Sequence, residues 1–232
     1  MDTVDVIGRR NFAKRLGAIL FLAAPVAAQE SASPERRTAD GWKSMSDGVS
    51  LQGWKETPFS GRGKVRVVDG VIELGKGVLT GITWTGAFPK SNFEVRLEAM
   101  RADGSDFFAG VTFPVHDSYC SWINGGWGGT VVGLSSLDSM DASENDTSIH
   151  RIFETGRWYA LRLLVAKSRI QAWIDTEQVI DAYIGNREVD LRPGEIEFSK
   201  PFGIASYSTT AKLRNIAYRE VPGSDSEIRR KD

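Results

Sequence analysis

One cysteine, Cys120, stands in 232 residues, so no internal disulfide can form and the fold must rest on its core. Histidine is nearly as scarce. His116 and His150, with Cys120, show none of the ligand spacings of a zinc site. No Gly-x-Ser-x-Gly elbow occurs, and the one glycine-rich knot lacks the lysine and following helix of a phosphate loop. Neither charge dominates: 29 Lys and Arg stand against 30 Asp and Glu, a formal net charge of −1. A chain so balanced offers no basic field for nucleic acid or for an anionic membrane surface. No stretch holds a helical period and no unit repeats at fixed spacing. The longest apolar run, residues 16–24, is too short to span a bilayer comfortably.

That run belongs to a different device. Arg9 and Arg10, followed by Phe12 and Lys14, precede it, and the small residues Pro25-Val26-Ala27-Ala28 close it. A basic start, a short apolar run and small residues at the end read as an export signal over residues 1–28, and the paired arginines are of the bacterial twin-arginine type. Cleavage before Gln29 is expected, with the product periplasmic or secreted and free of the membrane. Loss of those residues removes four basic and two acidic groups, leaving 25 basic against 28 acidic, a formal −3. No cysteine sits at the cleavage point to carry lipid. Residues 29–40 are polar and read as a leader, 41–221 as one domain, and 222–232 as a charged tail.

Within the domain the pattern is that of strands. Asp69-Gly70 sits between two apolar runs, 64–68 and 71–74, and a two-residue hairpin needs positive φ at both positions. Phe93, Val95 and Leu97 alternate with Glu94, Arg96 and Glu98, the period of a half-buried strand. Residues 158–165 are apolar on both faces apart from Arg162, as a central strand would be. Residues 169–175 and 178–183 form another hairpin, and 202–207 and 213–221 are the last strands. The fold class is therefore all-β, a two-sheet antiparallel jelly-roll sandwich. Phe93, Val95, Leu97, Leu161, Leu163, Ile170, Ile174 and Ile204 are expected to face inward.

The opening D-G-W-x-x-M-S-D-G-V-S-L-Q-G-W, the V-V-D-G-V-I-E-L hairpin and the S-N-F-E-V-R-L-E strand are similar to a bacterial domain family. So are G-R-W-Y-A-L-R-L with I-Q-A-W-I-D, and the closing A-K-L-R-N-I-A-Y-R. The family is that of the 3-keto-disaccharide hydrolases, and the resemblance covers roughly residues 41–221. It implies a concanavalin- or laminin-G-like sandwich and glycoside cleavage on 3-keto sugars. Where the family has an Asn-Ser-Gly strand and a Tyr-Glu-x-Gln strand, this chain reads Ser105-Asp106-Phe107 and Tyr119-Cys120-Ser121-Trp122. The glutamate of the second motif is absent.

The residues between Ser105 and Thr147 carry the candidate chemistry. Trp127, inside Gly125-Gly126-Trp127-Gly128-Gly129, and Trp122 suit a sugar, whose apolar ring face stacks on an aromatic ring. Asn124 and Arg96 are candidate polar partners for its hydroxyls. His116, beside Asp117, and Asp106 are candidate bases, and Asp141 and Glu144 candidate acids. Asp138, Asp141 and Glu144 are also oxygen ligands in an acidic loop, where a calcium ion is the candidate cofactor. Asn145-Asp146-Thr147 matches a glycosylation sequon, but an exported bacterial chain leaves it without use. Glu94 and Glu98, with alpha carbons about 13 Å apart along a strand, have the spacing of a glycosidase pair. Arg96 between them argues instead for a salt-bridge ladder. Three functions fit these features: glycoside cleavage on 3-keto sugars, a carbohydrate-binding module without catalysis, and a structural or protein-binding sandwich.

Overall fold

The computed structural model describes residues 40–222. The expected export signal, the expected leader up to residue 39 and the tail from residue 223 lie outside them. Fifteen strands follow in chain order: β1 Lys43–Ser44, β2 Trp54–Glu56, β3 Val65–Val68, β4 Val71–Leu74, β5 Leu79–Trp84 and β6 Phe93–Gly104. Then come β7 Gly110–Val115, β8 Ser118–Gly126, β9 Val131–Ser135, β10 Ile149–His150, β11 Trp158–Val165 and β12 Arg169–Ile174. After β13 Glu177–Tyr183, one short 3₁₀ helix, Glu195–Ser199, precedes β14 Gly203–Tyr207 and β15 Thr209–Glu220.

They form two antiparallel sheets. The first runs β13-β12-β11-β6-β15-β4-β3, with β1 also pairing β15; the second runs β10-β9-β8-β7-β14-β5-β2. The hairpin at Asp69-Gly70 forms as expected: Val68 pairs Val71, and φ is 51° at Asp69 and 78° at Gly70. β11 is central, between β12 and β6.

Alternation decides what each strand buries. All eight residues expected to face inward are in the core, none more than 2% exposed. The inner faces of the two sheets meet through large side chains, among them Trp122, Tyr159, Phe93, Phe108, Phe113 and Phe202. Each such side chain, once buried, stabilises the fold by roughly 1.5–3 kcal/mol. Cys120 shares this interior, and burial pushes its thiol up to about 12, so it carries no thiolate chemistry near neutral pH.

Candidate functional site

The site is built outward from an arginine at an inward position. Phe93, Val95, Leu97, Ala99 and Arg101 occupy one face of β6, so the strand period carries Arg101 into the interior. Its guanidinium lies 5.4 Å from the ring centre of Phe108 and 5.8 Å from that of Phe153. It donates to the Gly129 carbonyl at 2.9 Å, and at 3.4 Å to those of Gly125 and Phe153. Burial pushes the group below its ordinary value, and the negative charge of Asp106 opposes that.

This contact accounts for the glycines. A Cβ on Gly125, where φ is +80°, would stand 2.5 Å from Arg101 Nη2, and one on Gly129, where φ is +116°, would stand 2.6 Å from the Ser105 carbonyl oxygen. Only glycine lets the backbone close on the guanidinium in these left-handed conformations. The turn is completed by the Gly129 N–H donating to the Gly126 carbonyl at 3.1 Å. Trp127, at φ 49°, is thereby thrown outward and is 43% exposed. Asp106 fastens the same turn from the side. Its Oδ2 accepts the Gly128 N–H at 3.0 Å and its Oδ1 the Phe107 N–H at 2.8 Å.

The turn forms one wall of a cleft of about 360 Å³ on the outer face of the second sheet. Ser121 and Ile123 of β8 lie on its floor, and the rings of Phe107 and Tyr207 stack at 5.9 Å beside them. Asp141 stands in the cleft too, with its carboxylate fully engaged. It accepts from Ser135 Oγ at 2.5 Å, from the Ala142 N–H at 2.8 Å and from Arg192 Nη1 at 2.9 Å. Arg192 is exposed and Glu195 half-buried, and both line the cleft. Glu195 accepts the Ser60 N–H at 3.0 and 3.2 Å.

Asp106, Asp141 and Trp127 therefore share one cleft, and five other candidates lie elsewhere. His116 is in the turn from β7 to β8, its Nε2 2.7 Å from the Lys167 carbonyl. Asp106 precedes the other end of β7, and the strand between them spans roughly 16 Å. Trp122 and Asn124 point into the core, each fully buried, and Asn124 Nδ2 donates to the Ala109 carbonyl at 2.9 Å. They share the inner face of β8 with Cys120, while Ser121 and Ile123 take the outer one. Arg96 is on the other sheet, its guanidinium over the Trp42 ring at 4.2 Å. Glu144 is exposed and accepts the N–H of Asp141 in its own turn.

Arginines occupy the acidic loop named as the candidate calcium site. Arg187 takes Asp138 at 2.8 Å and Asp146 at 2.8 Å, and Arg192 takes Asp141. Arg187 also holds the Asp138 carboxyl below its ordinary value. Among the described residues no three His, Cys, Asp or Glu side chains are grouped as a metal site would group them. Chelation should leave the melting temperature unchanged; a fall reversed by added calcium would restore the metal. Asn145 is likewise committed, buried and donating to the carbonyls of Leu134, Met140 and Asp141, which closes the sequon to modification in the folded chain. The salt-bridge ladder on β6 exists, with other partners than Arg96. Glu94 binds Arg162 and Arg219, and Glu98 binds Arg214 and Asn215; Glu94 is buried, not solvated.

Arg101, Arg192, Glu195 and Tyr207 were not anticipated from the sequence. Arg101 had a visible signal, since it continues the inward alternation of β6. The other three come from segments far along the chain.

An aromatic platform with acidic and basic groups, set on the outer face of one sheet of a jelly roll, defines a sandwich of the carbohydrate-active type. The chain belongs to the 3-keto-alpha-glucoside-1,2-lyase-like domain family, whose model matches residues 41–219. A comparison with curated protein sequences finds no match. Solved structures share the fold. One, from Parabacteroides distasonis and described as a glycosyl hydrolase, is 13% identical with TM-score 0.52, over 79% of this chain and 95% of that one. The carbohydrate-binding module CBM66 of Bacillus subtilis is 15% identical with TM-score 0.50, over 72% and 96%. Domain 4 of the arabinanase AbnA from Geobacillus stearothermophilus, in complex with arabinotriose, is 13% identical with TM-score 0.51, over 81% and 95%.

Proposed function

We propose that the protein, exported from the cytoplasm, cleaves glycosides of 3-keto sugars in the cleft beside Trp127. The observation that carries this is Asp106, a carboxylate held by two backbone amides at the foot of the exposed ring. A ketone at C3 acidifies the proton on C2. Asp106 removes that proton, and the electron pair moves onto the C3 oxygen as an enolate. Arg192, anchored by Asp141, supplies positive charge for that oxygen. The pair then returns to form the C1–C2 double bond as the C1–O bond breaks, and Glu195 gives a proton to the departing aglycone oxygen. Addition of water across the double bond completes a hydrolysis; release of the unsaturated sugar completes a lyase reaction. Trp127 stacks on the sugar ring throughout.

Purified protein should release aglycone from a 3-keto glucoside and not from the parent glucoside. Trp127→Ala should weaken substrate binding by roughly 1–3 kcal/mol, taking base–aromatic stacking as the analogue. A second reading, a binding module without catalysis, is favoured by Cys120 standing where the family motif has its glutamate. Saturable glycan binding lost in Trp127→Ala, with no turnover of any 3-keto glycoside, would establish that reading in place of the first.

A further inference from the structure

The outer face of the first sheet carries a second cleft, of about 550 Å³, made by an uneven surface. Ala160, Ala217 and Ser44 are small, while Trp42, Arg96 and Arg162 around them are large, and the space above the small residues is left open. Arg96 pairs across the strands with Arg162 on one side and Ala217 on the other. Four arginines of this face, Arg96, Arg162, Arg214 and Arg219, stand against two glutamates, Glu94 and Glu98. Three of the four are taken: Arg162 and Arg219 by Glu94, and Arg214 by Glu98. Asp175, also at this cleft, is taken by Arg157 and by the Ala160 N–H.

Of these four, the Arg96 side chain alone makes no hydrogen bond or ion pair among the described residues. It is exposed, and its guanidinium carbon lies 4.2 Å from the ring centre of Trp42, over which Arg219 also sits at 4.7 Å. A guanidinium packed over a ring has already lost part of its side-chain freedom, and its N–H donors form a planar fork. A planar carboxylate is the group that such a fork matches, through two parallel bonds. Around it, Glu98, Asp175 and Asn215 carry oxygens able to accept from hydroxyls.

We propose that this cleft binds a carboxylate-bearing sugar, a uronate, with Arg96 gripping its carboxylate. The site is separate from the cleft beside Trp127 and does not depend on the reaction proposed there. It gives a chain of net negative charge a local means of holding an acidic glycan.

Titration calorimetry of the purified chain with glucuronate, its methyl ester and glucose tests this. Glucuronate should bind saturably. The ester, glucose, and glucuronate with Arg96→Gln should each bind about ten- to a hundredfold more weakly, the range for a lost charged hydrogen bond. Trp127→Ala should bind glucuronate as the wild type does. Absence of saturable glucuronate binding, equal affinity for the ester, or loss in Trp127→Ala with Arg96→Gln intact would each overturn the proposal. Should Arg96→Gln melt early, the ester comparison on wild-type protein decides alone.

Discussion

Arg101→Ala is expected to destabilise the domain by about 3–5 kcal/mol, the scale for losing a buried hydrogen-bond network. The loss has two sources. The carbonyls of Gly129, Gly125 and Phe153 lose their donor, and a buried acceptor without a partner costs roughly 1–3 kcal/mol. The rings of Phe108 and Phe153 also lose the cation between them. Arg101→Lys keeps the charge but not the fork and should fall between wild type and alanine. Denaturant midpoints measure both. A change below about 1 kcal/mol for alanine, well under the cost of even one network of this kind, would mean that the turn stands without the guanidinium. Trp127 should lose its fixed position in the same variant, so ligand affinity should fall with stability.

Asp106→Asn should reduce turnover of a 3-keto glucoside by about 10²–10⁴, the contribution of a positioned base, with binding little changed. Asparagine is nearly the same size but keeps an acceptor for only one of the two amides, Phe107 or Gly128, so a loss of stability no larger than that of one buried hydrogen bond, about 1–3 kcal/mol, separates lost chemistry from lost structure. Turnover within threefold of wild type would remove Asp106 from the role of base.

Much of the fold was legible because strand alternation is a local signal. Phe93, Val95 and Leu97, or the Asp69-Gly70 turn between its apolar runs, need no knowledge of partners. The same logic failed on β8. Residues 120–126 are all buried, so polarity does not say which parity faces the core, and the register of Val111 against Trp122 settles it. Trp122 and Asn124 therefore went to the wrong face while their neighbours Ser121 and Ile123 line the cleft. Arg192 and Glu195 were out of reach for another reason. They meet Asp141 and Ser60 across long sequence separations, and no periodicity links such segments. The ion pairs of the acidic loop were out of reach for the same reason, since Arg187 is likewise remote in sequence.

The turn at Trp127 is held through carbonyl oxygens and an amide, groups that every residue possesses. Nothing in that frame reads the identity of the side chain it displays. Position 127 is therefore an interchangeable reading head: tyrosine, histidine or asparagine could stand there without altering the support beneath. Ligand preference could drift among descendants of this chain, or be redirected by a designer, through one codon. Gly125, Gly129 and Arg101, which make that freedom available, could not change with it.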